Sequence, residues 1–98
     1  MRHPRDPAPS TLPPGDAVIA EAIAALLAAR GASSSICPSE AARRLRADEW
    51  RSLMPAVRRV AATMAAAGRL RITQGEAAVS PQALLDGAVR GPIRLRRP

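Results

Sequence analysis

The chain has 98 residues, 15 basic and 8 acidic side chains, and a formal net charge of +7. Apolar residues make up 47% of it, but 22 residues are alanine, Leu, Ile and Val together number 19, and Phe and Tyr are absent. This length fits one small domain, and so thin and alanine-rich a core suits closely packed helices better than a β-sandwich or barrel.

Further classes fall on the same arithmetic. No apolar run approaches the ~18–20 residues of a membrane span, and the N-terminal stretch has no long apolar segment of the kind that opens a secretory signal. One cysteine makes no internal disulfide, and one histidine with one cysteine does not build a zinc site. The expectation is a cytoplasmic protein with no membrane association, metal or cofactor. All 15 basic residues are arginine, with no lysine. A GC-rich genome writes arginine at almost any basic position, so the residue choice says little, whereas the net charge favours phosphates or acidic partners.

Residues 1–15 read as a disordered tail, since five of them are proline and few are apolar. His3 lies in this tail and is no candidate base. A first helix is predicted from Asp16, with Ile19, Ala20, Ile23, Leu26 and Leu27 on one face and Gly31 as its stop. After the serine loop, Ile36 forms a brief extended piece. Pro38 then opens a short second helix to Arg46, with Glu40 near its third position, Ala41 and Leu45 inward, and Arg43, Arg44 and Arg46 mostly outward.

The third helix is predicted over about Ser52–Ala67, stopped by Gly68. At about 100° per residue, Trp50, Leu53, Met54, Val57, Val60, Ala61 and Met64 share one stripe. Arg51, Pro55, Arg58, Arg59, Ala62 and Ala66 lie on the other side. Beyond Gly68 the period becomes 2: Leu70 and Ile72 alternate with Arg69, Arg71 and Thr73, and Ile93 and Leu95 alternate with Arg94 and Arg96. These two strands are paired antiparallel. Between them Ser80–Gly87 could cap, start and stop one or two helical turns; alternatively, Ala77–Val79 could pair directly with 70–73 as a tight hairpin.

Three helices followed by a hairpin, with an extended piece before the second helix, is the order of a winged helix-turn-helix, a mainly α fold with a small antiparallel β-hairpin. The segments Ile36-Cys37-Pro38-Ser39-Glu40, Trp50-Arg51, Met54-Pro55 with Val57-Arg58, Gly68-Arg69, Thr73-Gln74 and Gly91-Pro92-Ile93-Arg94 resemble the bacterial domain of unknown function 3253, over roughly residues 16–97. That resemblance implies a winged-helix-like fold and no established activity. The chain departs from the family at Gly75-Glu76, where members tend to carry a basic residue, and in extra residues between that turn and Gly91.

On the winged-helix frame, Arg51, Arg58 and Arg59 stand where a recognition helix would meet phosphates or guanine edges. Arg43, Arg44, Arg71 and Arg94 complete the candidate nucleic-acid-binding set. Each also has a plainer reading as a solvated arginine, and Arg58 could instead pair with Glu40. Cys37, at the start of helix 2, reads as a small buried packing residue; its other reading is a thiolate favoured by the helix N-terminus. Trp50 reads as core, and the acidic residues show no spacing for paired catalytic carboxylates or a metal loop. The sequence therefore points to a non-enzymatic binder of double-stranded DNA. The rival is a protein-interaction module in which Ala62 and Ala66 admit a partner helix, and a thiol-dependent activity at Cys37 is the weakest reading.

Overall fold

The computed structural model describes residues 14–31 and 34–98. The tail expected over residues 1–15 lies outside the described residues as far as residue 13. The elements are α1 (Asp16–Ala29), β1 (Ser35–Ile36), α2 (Pro38–Leu45), a 3₁₀ turn (Trp50–Leu53), α3 (Met54–Ala66), β2 (Arg71–Gln74), β3 (Ala77–Val79), α4 (Pro81–Leu85) and β4 (Arg94–Arg96).

Local chemistry sets the boundaries. In α2, the Cys37 N–H donates to Glu40 Oε2 at 2.7 Å, so the third helical residue reaches back to satisfy an orphan donor. The expected start of the third helix at Ser52 is corrected. Pro55 has no N–H to donate and its ring would clash with the carbonyl of Arg51, so it must sit in the first turn. The α-helix accordingly begins at Met54, and Trp50–Leu53 winds as the tighter 3₁₀ turn. At the other end Gly68 has φ +75°, and Gly68 N and Arg69 N donate to the carbonyls of Ala65 and Met64 at 3.0 and 2.8 Å. This is a Schellman stop, and it coincides with the change of period in the sequence. The same device ends α4 at Gly87 (φ +73°), after Ser80 Oγ has accepted from Ala83 N at its start.

The expected single hairpin becomes a four-stranded antiparallel sheet in the order β1-β4-β2-β3. The predicted pairing of β2 with β4 is present, with Ile72 opposite Leu95, and so is the alternative tight hairpin, with Ile72 opposite Val79. The reason both form is that a strand has two edges. β2 offers one to β4 and the other to β3 through the two-residue turn at Gly75, where φ is +61°. Ile36 pairs with Leu95 on the far side of β4. Ile36, Leu95, Ile72 and Val79 thus form one row across the sheet, and this row faces the helices.

Beneath that row the core contains Ile19, Ile23, Ile36, Val57, Ile93 and Leu95, with Ala41, Ala42, Ala61 and Ala62 where elements approach closely. The alanine-rich helical core expected from composition is what the chain builds. Two expectations are corrected here. Helical periodicity puts Ala62 on the outer side of helix 3, but it is fully buried, because α4 packs along the side of α3 that carries Met54, Arg58 and Ala62. Ala22, in turn, is buried in α1, while Ala20 and Leu26 are only partly covered.

Candidate nucleic-acid interface

The seven candidate arginines fall into three groups. The first lies at the corner between α2 and α3. Arg43 and Arg44 are exposed in the last turn of α2, and Arg51 is exposed in the 3₁₀ turn. Trp50 packs against the core and is partly exposed; the Cζ atoms of Arg43 and Arg51 lie 4.3 and 4.5 Å from its ring centroid. Each such interaction contributes about 0.5–1 kcal/mol at an exposed site, and together they hold two guanidinium groups near one another. The core position expected for Trp50 is thus joined by a second role. Asp48 and Glu49 are exposed in the same corner, with Glu49 3.6 Å from Arg46. Among the described residues Arg43, Arg44 and Arg51 have no carboxylate partner.

The second group is on α3. Arg58 does not pair with Glu40, the alternative that the sequence left open; its Nη2 lies 3.5 Å from the Val89 carbonyl oxygen, on the loop after α4. Glu40 instead bonds the guanidinium of Arg30, at the end of α1. Arg59 is engaged as well. Its Nη1 and Nη2 donate to Asp16 Oδ2 and Oδ1 at 2.6 and 3.1 Å. With α4 along one flank, the exposed stripe of α3 narrows to Pro55, Arg59, Thr63 and Ala66. Met54, Pro55, Arg58, Leu84 and Leu85 border an open groove of about 400 Å³ between the two helices.

The third group is on the sheet. Arg71 Nε donates to the Arg97 carbonyl at 3.1 Å. Arg94 Nε and Nη2 donate to Ser35 Oγ and O at 2.8 and 3.0 Å. Sequence reasoning misses Arg96, whose Nε donates to Thr73 Oγ1 at 3.1 Å, and Arg30, whose Nη1 reaches Ser35 O at 3.2 Å. The period-2 alternation places Arg96 on the same face as Arg94, so that signal is present. Nothing local marks Arg30.

Electrostatics follow these interactions. Burial alone would raise the Glu40 carboxyl, but the Cys37 N–H, the Arg30 guanidinium and the charge of Arg94 outweigh it and hold it below its ordinary value. The hydrogen bond from Arg59, helped by its charge, lowers Asp16, and Asp16 in return raises Arg59.

Cys37 is partly exposed rather than buried, because it caps the surface end of α2; its Sγ accepts from Ser39 Oγ at 3.1 Å. Among the described residues no group of three or more His, Cys, Asp or Glu side chains could hold a metal ion, and no helix is long and apolar enough to cross a membrane.

No curated protein matches the chain at a significant level. A family model does match, over residues 16–98, a span that takes in every element from α1 to β4. The chain belongs to the family described as protein of unknown function (DUF3253).

Proposed function

We propose that this chain is a cytoplasmic winged-helix protein that binds double-stranded DNA in a regulatory or accessory role, without enzymatic activity. The observation that carries this reading is the set of exposed arginines at the α2–α3 corner, Arg43, Arg44 and Arg51, none with a carboxylate partner among the described residues. The element order supports it: a strand between α1 and α2, then α2 and α3 joined by a short turn, then the β2–β3 hairpin. The DNA-binding position shifts from the middle of α3 to its N-terminal end, since Arg59 serves Asp16 and α4 covers one flank. Duplex is favoured over single strands because Trp50 is the one aromatic residue and its ring already carries two guanidinium groups.

The test is duplex binding at several salt concentrations. Removing one phosphate-binding guanidinium, by Arg43→Ala or Arg51→Ala, reduces the slope of log affinity against log salt by about 0.9. Wild-type binding that is weak at low salt and unchanged in both variants overturns the reading. A second reading, a protein-interaction module, is favoured by the α3–α4 groove, where Leu85 is 50% exposed beside Arg58. In that case Leu85→Glu abolishes capture of a stoichiometric partner, and nuclease treatment has no effect on the capture.

A further inference from the structure

The side of the sheet turned away from the helices carries an arginine array of its own. Arg71 stands directly opposite Arg96, and Thr73 directly opposite Arg94; Ser35 flanks Arg96 on β1, and Ala78 flanks Thr73 on β3. Directly opposed residues share a face, as do residues two apart on a strand, so these six share the side of the sheet turned away from the helices, where Arg71 and Ala78 are exposed and Thr73 is buried. Like charges set opposite each other weaken a sheet. The fold nevertheless keeps Arg71 against Arg96.

Each of the three guanidinium groups is seated through its Nε on a neutral oxygen: the Arg97 carbonyl for Arg71, Ser35 Oγ for Arg94 and Thr73 Oγ1 for Arg96. For Arg71 and Arg94 these bonds fix the side chain and leave its charge in place. Glu40 senses the charge of Arg94, but its two oxygens are bonded to Arg30 and the Cys37 N–H. Among the described residues of the strands, nothing apolar larger than alanine stands on this face. It therefore gives a protein partner no side-chain anchor and a nucleobase no aromatic platform. What it presents is guanidinium forks, whose planar geometry matches phosphate oxygens. Arg71 and Arg94 are diagonal neighbours on β2 and β4 and stand about 7–8 Å apart, comparable with consecutive phosphates of a nucleic-acid strand.

We propose that this sheet face is a second backbone-binding surface for duplex DNA, so that one chain holds two duplex segments at once. The inference rests on the DNA-binding reading above. The sheet face is turned away from the helices, whereas the corner arginines stand on α2 and on the 3₁₀ turn before α3. The two sets of arginines thus belong to separate elements of the fold, and in this proposal each meets its own stretch of duplex.

The experiment uses the full chain, an immobilised duplex and a labelled second duplex of unrelated sequence. The wild type captures the second duplex at low salt. Arg71→Glu lowers that capture by about tenfold, and Arg43→Ala, at the corner, lowers affinity for a single duplex measured at limiting DNA. Arg71→Gln gives a smaller loss in the same direction, and thermal unfolding of both variants confirms that they fold. If the wild type binds one duplex and captures no second, the bridge is overturned and the corner site stands. If it binds no duplex at all, both readings fall. Capture that both Arg71 variants leave intact overturns the sheet face as its source. Tighter binding of a poly-glutamate peptide than of duplex at this face assigns it to an acidic protein and also overturns the proposal.

Discussion

Arg59 and Asp16 are 43 residues apart in the chain and meet fork to fork, with both carboxylate oxygens engaged at 2.6 and 3.1 Å. The pair ties the first turn of α1 to the exposed stripe of α3. It makes Arg59 a residue of the fold, although its place on helix 3 suggests a role toward DNA.

The first prediction concerns this pair. Asp16 is held below its ordinary value of 3.8 by Arg59. A lowered carboxyl contributes stability above that value and loses it as pH falls through the folded-state value. The coupling between Asp16→Ala and Arg59→Ala, read from thermal midpoints in a double-mutant cycle, is therefore present at neutral pH and vanishes in strong acid. It also shrinks with added salt, because both groups are exposed. Asp16→Ala costs more than Arg59→Ala, since Asp16 additionally faces the positive end of the α1 dipole. A coupling that survives protonation of Asp16 contradicts this account.

The second concerns Glu40, which joins the α2 N-terminus to the end of α1. Glu40→Ala removes charge-assisted bonds to Arg30 and Cys37 N and costs about 2 kcal/mol of unfolding free energy at neutral pH. Glu40→Gln keeps an oxygen for the Cys37 N–H and costs about 1 kcal/mol. The carboxyl is lowered from 4.5, so the gap between wild type and Glu40→Gln closes as pH falls below that value. Denaturant unfolding at two pH values checks both figures.

The third concerns the cover that α4 gives to α3. Leu84 is 7% exposed, and Leu84→Ala leaves a cavity over α3 worth about 2–3 kcal/mol. The loss registers as faster exchange of the Ala83, Leu84 and Asp86 amides ahead of global unfolding. Ala62→Leu overpacks the same seam and costs about 1–3 kcal/mol; a neutral effect there would place Ala62 on an open surface.

The fourth is a gain. Arg71→Glu replaces a like-charge opposition with an attractive one to Arg96 and raises unfolding free energy by about 0.2–1 kcal/mol at low salt. A variant that is more stable and binds less DNA separates the charge of the sheet face from its folding. A drop in stability would mean that the bond from Arg71 to the Arg97 carbonyl outweighs the opposition.

What is legible in the sequence is local. The stop at Gly68 is readable because a helix that ends in a left-handed residue needs glycine there, and the hydrophobic period changes at the same point. Glu40 is readable as a first-turn acid because capping operates over three residues. The rest is decided by partners far along the chain. Ala62 is buried by α4, a segment that the sequence offers only as an optional turn, and Arg59 is claimed by Asp16. Strand periodicity tells which face of β4 is apolar, but it carries no information about which two strands will flank it. For the candidate site, residue type and outward placement are legible, whereas the division of seven arginines among the corner, α3 and the sheet is not.

The position of β4 has a consequence for how the molecule is made. Arg94–Arg96 comes last in chain order among the four described strands, yet it occupies the middle of the sheet, between β1 and β2. While the ribosome still holds those residues, β1 has no neighbour and only the β2–β3 hairpin can pair, so the buried row of Ile36, Leu95 and Ile72 cannot assemble. Closing the loop from Ser35 to Arg96 is a long-range step with an entropic cost that no earlier pairing offsets. Until β4 docks, the chain is therefore a set of helices with an exposed apolar side, and its native sheet closes only when Arg94–Arg96 takes its place between β1 and β2.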